Sequence, residues 1–93
     1  MSQRARHYVI FWTPPAQRDV MRLPAKSANA VLNFVENRLG ANPHQIRKPL
    51  GGDLADLRSA RNGNYRVLFE IDDVAGGIRV VRVSHRAHAY RRR

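Results

Sequence analysis

The sequence predicts an α+β fold: a helical hairpin packed on one face of a small, mainly antiparallel sheet, in the order β-α-α-β-β-β. Three observations carry this prediction. Between Thr13 and Leu39, apolar residues recur at helical spacing in two successive stretches separated by Pro24. After Asp56, apolar residues alternate with polar ones in runs joined by an Asn-Gly turn and a Gly-Gly turn. An apolar, aromatic run near the N-terminus (RHYVIFW) supplies one more strand. The 93 residues are expected to form one domain, spanning 1–93, with a core of modest size.

In chain order, Arg6 to Trp12 is apolar on both faces, which predicts a strand inside the sheet or beneath the helices. Thr13-Pro14-Pro15 ends it and opens a helix, because Thr can cap and Pro is tolerated in the first turn. Ala16, Val20 and Leu23 form the dry side of that helix; Gln17, Arg18 and Arg22 form the wet side. Pro24 breaks it and opens a second helix over Ala25 to Leu39, with the stripe Ala28, Val31, Leu32, Val35 and Leu39. Gly40 is expected as its C-terminal cap, and Asn42-Pro43 prevents continuation. Pro43 to Gly52 reads as a basic loop. Asp56 to Arg61 reads as a strand leading into the turn Arg61-Asn62-Gly63-Asn64. Tyr65, Val67, Phe69 and Ile71 then alternate with Arg66, Leu68 and Glu70, giving a strand with one apolar face. Asp72 to Gly77 supplies turn chemistry, and Ile78 to Ser84 is a second β-branched strand. The helices must cover one sheet face, since their stripes have nothing else to bury against. The other face is left to basic residues.

Charge narrows the function. Seventeen Lys plus Arg against seven Asp plus Glu give a formal charge of +10, which points to a polyanionic partner, nucleic acid first. The absence of cysteine excludes disulfides, thiolate metal sites and a Cys nucleophile. No apolar run reaches the roughly 20 residues of a membrane span, and the N-terminus lacks the apolar region of a signal peptide, so the expected location is the cytoplasm. There is no Walker or Rossmann loop and no pair of carboxylates placed for acid–base work. His85 and His88 lack a third metal ligand nearby, so no metal and no cofactor are expected.

What remains is arginine, histidine and tyrosine at one end of the sheet. From Ile78 onward there are six arginines, two histidines and no carboxylate. Arg66 falls opposite in phase to Tyr65, Val67 and Phe69, so it faces away from the helices; Arg82 can share that side if Val81 and Val83 pack inward. Guanidinium groups converging on a sheet clamp phosphate and stabilise the extra charge of a pentacoordinate phosphorane. A cross-strand ion pair of Arg66 with Glu70 or Asp56 is the competing structural role. His85 is a candidate proton-transfer group, as histidine is the side chain that, unperturbed, changes charge near neutral pH, and Tyr90 can act as a base if neighbouring arginines favour its phenolate. Packing against the sheet is the competing role for Tyr90. A nuclease with these groups would work through the ribose 2′-hydroxyl attacking the adjacent phosphate, a route open to RNA and not DNA.

The element order, together with Asn42-Pro43-His44, Lys48-Pro49-Leu50, Gly63-x-Tyr65-Arg66-Val67 and the final His85-Arg86-x-x-x-Tyr90, resembles the RelE/ParE superfamily of bacterial toxin–antitoxin systems. The likeness runs from Tyr8 to Tyr90 and is closer to the RelE branch than to ParE. It implies an mRNA endoribonuclease that cuts in the ribosomal A site without metal and so inhibits translation. By the same likeness, Arg66 holds the scissile phosphate, Arg86 serves phosphate or leaving group, and Tyr90 stacks on a base or assists proton transfer. Arg61 supports the RNA backbone; Arg47, Lys48, Arg58 and Arg82 complete the expected RNA-binding set. Some RelE members carry two lysines on the strand before the Asn-Gly turn, one of them implicated as the base. Leu57 and Ser59 stand there in this chain, so His85 or Tyr90 must substitute. The resemblance also implies an acidic, partly disordered antitoxin that folds as it wraps the toxin in a heterocomplex. The alternatives are a ParE-like inhibitor of DNA gyrase and a catalytically degenerate binder of RNA or ribosome.

Overall fold

A computed structural model describes residues 7–45 and 57–85. Its elements are β1 (Val9–Trp12), α1 (Pro14–Met21), α2 (Ala25–Asn33), β2 (Arg58–Asn62), β3 (Tyr65–Asp72) and β4 (Gly77–His85). They build an α+β fold with two helices on a four-stranded mixed sheet of order β1-β4-β3-β2. β2, β3 and β4 form the expected antiparallel meander, and β1 joins β4 in parallel. The chain bounds differ slightly from expectation: β2 runs one residue further, through Asn62, which pairs with Tyr65 across a two-residue turn. Gly63 takes φ +63 in that turn, a conformation that a side chain would strain.

β1 departs from the sequence prediction. It is an edge strand with helices on one face only, and Val9 and Phe11 remain 71% and 60% exposed. Its apolar character on both faces therefore does not report burial on both faces.

Thr13 starts α1 as expected. Its side chain accepts from the Ala16 amide at 3.3 Å, with Pro14 and Pro15 in the first turn. The second helix is less regular than its apolar stripe suggests. α2 is followed directly by a π-helical turn, Phe34–Leu39, yet Val31, Val35 and Leu39 of the expected stripe are all buried. Phe34 is buried, and Leu32, expected on the stripe, is left partly exposed. Gly40 is not a left-handed cap: its backbone is helical, at φ −61 and ψ −34. A Cβ there would sit 2.6 Å from the His7 imidazole, and the Gly40 carbonyl accepts from the Tyr8 amide. The glycine is needed for that approach of the N-terminal strand.

The core lies between helices and sheet. Ala16, Val31, Phe34, Val35 and Leu39 meet Ala60, Val67, Phe69, Ile78, Val80 and Val83. Phe69 and Val80, both fully buried, are directly opposed on β3 and β4. Every apolar residue of β3 at the phase of Val67 turns to the helices, so Arg66, Leu68 and Glu70 are carried on the other face.

Candidate functional site

The face of the sheet away from the helices carries the candidate chemistry. Cα register places Arg61, Arg66 and Ser84 in one rung across β2, β3 and β4. The next rung is Ser59, Leu68 and Arg82, and the one beyond it brings Glu70 beside Arg79. Arg66 is half-buried and Arg61 is exposed. Arg61 and Arg66 are opposed by Cα register; guanidinium groups brought together from such positions would repel, and an anion between them would relieve that repulsion. Sequence pattern located Arg66 on this face. The pairing with Arg61 required the register.

The remaining expected site residues divide. Ser59 is buried and lies on the Arg66 face, whereas Arg58, at the start of β2, pairs with Phe69 by Cα register and lines a cleft with Phe11, Glu70 and Arg79, away from the Arg66 rung. His85 pairs with Tyr65, and their rings meet edge to face at 5.3 Å. Adjacent residues of a strand point to opposite faces. Ser84 therefore stands beside Arg66, and His85 starts from the helix side. Arg47, Lys48, Arg86 and Tyr90 lie outside the described residues.

Arg82 has the register position expected for the Arg66 face, but its guanidinium is engaged elsewhere. The reason is Asp19 on α1, a buried carboxylate absent from the sequence-level site. Asp19 Oδ2 accepts from Arg82 Nε at 2.8 Å and from the Val83 amide at 2.9 Å; Oδ1 accepts from Arg82 Nη2 at 3.0 Å. Burial pushes the Asp19 carboxyl up, but the Arg82 and Val83 hydrogen bonds outweigh it, so its pKa lies below the ordinary value. The Arg82 guanidinium is correspondingly raised by Asp19. The signal for Asp19 was available: it falls three residues after Ala16 and four before Leu23, on the apolar side of α1.

A second polar cluster sits at the far end of the sheet. Tyr8 donates its hydroxyl to Asp73 at 2.6 Å, and His44 Nε2 lies 2.9 Å from the same carboxylate oxygen. Hydrogen bonds from Tyr8 and then His44 lower the exposed Asp73 carboxyl. The cluster ties the N-terminal strand and the Pro43–Gln45 turn to the β3–β4 connection. Sequence reading placed Asp73 in a turn and gave no sign of these long-range partners. Among the described residues, no three His, Asp or Glu side chains converge as metal ligands, and no helix is long and apolar enough to cross a membrane.

Comparison with known proteins agrees with this architecture. Residues 10–90 match the family model described as the ParE toxin of type II toxin–antitoxin system, parDE. Toxin RelE of Mycobacterium tuberculosis (strain ATCC 25618 / H37Rv) is 43% identical over 84 residues, covering 90% of this chain and 87% of that protein. Toxin RelG of the same strain is 41% identical over 85 residues, covering 91% and 98% respectively. The crystal structure of the toxin–antitoxin complex RelBE2 from M. tuberculosis contains a chain of TM-score 0.83 and 40% identity, with 87% of this chain and 93% of that chain covered. On a match spanning nearly its whole length, with relatives this similar, the chain belongs to the ParE toxin family of type II toxin–antitoxin systems and is a RelE-like toxin.

Proposed function

We propose that this toxin is a ribosome-dependent mRNA endoribonuclease acting in the cytoplasm. The observation that carries the proposal is the opposed pair Arg61 and Arg66 on the sheet face that the helices leave uncovered. In this reading the pair receives the scissile phosphate, and the ribose 2′-hydroxyl attacks it without a metal. Arg66, the less exposed of the two, stabilises the charge that grows on the phosphorane. Arg86 and Tyr90 enter on the resemblance to RelE toxins, as phosphate or leaving-group ligand and as base. His85 begins on the other face, which favours Tyr90 for the proton. Arg47, Lys48 and Arg58 would contact RNA outside the central rung.

The partner proposed is an acidic antitoxin. The RelBE2 relative was crystallised as a toxin–antitoxin complex, and a chain of charge +10 suits an acidic ligand. The test of the nuclease reading is transcript mapping after brief induction, comparing wild type with Arg66→Ala. Discrete cuts within translated codons are expected, falling by roughly 10²–10³-fold in the variant, the loss typical when one preorganised donor to a transition-state oxyanion is removed. Growth arrest with intact messages would overturn this reading in favour of gyrase inhibition.

A further inference from the structure

β1 covers the outer edge of β4 only as far as Val80. Beyond it, α1 takes over the strand's polar groups. The Thr13 hydroxyl lies 2.9 Å from the Val80 carbonyl and 3.1 Å from that of Val81, and the Thr13 amide donates to Val80 at 3.1 Å. Asp19 then accepts the Val83 amide and both donors that Arg82 presents. These contacts bracket an irregularity in the ladder: Leu68 pairs with Arg82 and Phe69 with Val80, so Val81 is the extra residue of a bulge. A bulge re-aims the side chains that follow it. Here those residues are Arg82, Val83, Ser84 and His85, the stretch that runs beside Arg66 and leads into the C-terminal tail.

We propose that Asp19 is a positioning residue for message cleavage, fixing the end of β4 through the Val83 amide while withholding Arg82 from the phosphate face. The proposal rests on the nuclease reading above. Two features separate this role from simple support of the fold. The three hydrogen bonds that Asp19 accepts come from the Val83 amide and the half-exposed Arg82 guanidinium, two to three residues before His85. In addition, Arg82 occupies the rung next to Arg66 and Arg61. Released from Asp19, it would offer a second phosphate site beside the productive one.

The test is single-turnover cleavage of message on programmed ribosomes at varied toxin concentration, for wild type, Asp19→Asn, Arg82→Gln and the double variant. The expected result for Asp19→Asn is a roughly tenfold lower limiting rate with half-saturation unchanged or tighter, one tenfold step being about 1.4 kcal/mol of barrier. Arg82→Gln should lower the rate without tightening binding, and the double variant should be no slower than the slower single, because the pair acts as a unit. Loss of folded protein alone would reduce the active fraction and leave the limiting rate unchanged, which would overturn the proposal. So would weaker half-saturation at normal rate in Arg82→Gln, the behaviour of a plain RNA contact. If Asp19→Asn does not fold, Arg82→Gln decides by the same criterion, since its side chain is 53% exposed. A wild-type chain that leaves every message whole would overturn the nuclease reading itself, a result distinct from a variant that matches an active wild type.

Discussion

Replacing Arg61 with Gln should make the toxin more stable and less able to hold RNA. Arg61 and Arg66 are paired residues of adjacent strands on one face. If their charges stood as close as directly opposed Cβ atoms do, about 5 Å, they would repel by about 0.8 kcal/mol in bulk water and about 3 kcal/mol at an effective dielectric constant of 20. Arg61 is exposed, and both side chains are long enough to splay, so the lower figure governs. Arg61→Gln should therefore stabilise the free toxin by about 0.5–1 kcal/mol, the usual size of a cross-strand charge pair. For a domain of this size that raises the melting temperature by about 2–8 °C. The assay is thermal unfolding of both proteins at low salt and at 1 M salt. The gain should shrink at high salt, where the screening length falls to about 3 Å. A short RNA should raise the melting temperature of wild type more than that of the variant. If Arg61→Gln melts lower than wild type at low salt, the two arginines do not repel, and the argument for an anion between them fails.

Two further outcomes follow from the packing and the carboxylates. Phe69→Ala removes a fully buried ring opposed to Val80 and should cost about 3–5 kcal/mol, read as a lower urea midpoint, whereas an unchanged midpoint would contradict its place in the core. Asp19 and Asp73 are both held below the ordinary carboxyl value, so each contributes stability that is present above about pH 4 and lost as pH falls through its lower folded-state value. Asp73→Asn should flatten that acid limb of the stability profile; an identical acid limb would show that the Tyr8 and His44 contacts do not favour the ionised form.

Local chemistry made most of the architecture legible. Thr13-Pro14-Pro15, Pro24 and Asn62-Gly63 each act within a few residues, and each marks an element boundary in the structure. Alternation in β3 correctly placed Arg66 on the uncovered face. The errors share one origin, which is that non-local geometry decided them. β1 is apolar on both faces, yet it lies at an edge, with Val9 and Phe11 exposed beside Gly77 and Arg79. The apolar stripe of the second helix holds at Val31, Val35 and Leu39 but not at Leu32, and Gly40 is a glycine for His7, 33 positions earlier in the chain, rather than for its own turn. In β4 the alternation Val80, Val81, Arg82, Val83 admits two phases, and only the bulge resolves which valines are buried. Asp19 was missed because an acid among arginines reads as one more surface charge until its three donors are seen.

The parallel pairing of β1 with β4 sets the order in which this toxin can assemble. Val9 lies beside Gly77, so among the described residues β1 has no neighbour in the sheet until β4 is in place. β4 is also the strand that joins β1 to the rest. The β2–β3 hairpin can close through a two-residue turn, but a chain that has not yet supplied β4 has no complete sheet on which α1 and α2 can bury their apolar sides. Such long-range closure is slow to reach and is reached together rather than piecemeal. The consequence is a toxin whose architecture is completed late in the chain: Arg61 and Arg66 meet in the local β2–β3 hairpin, but the helix-backed sheet around them forms only once β4 joins that hairpin to β1.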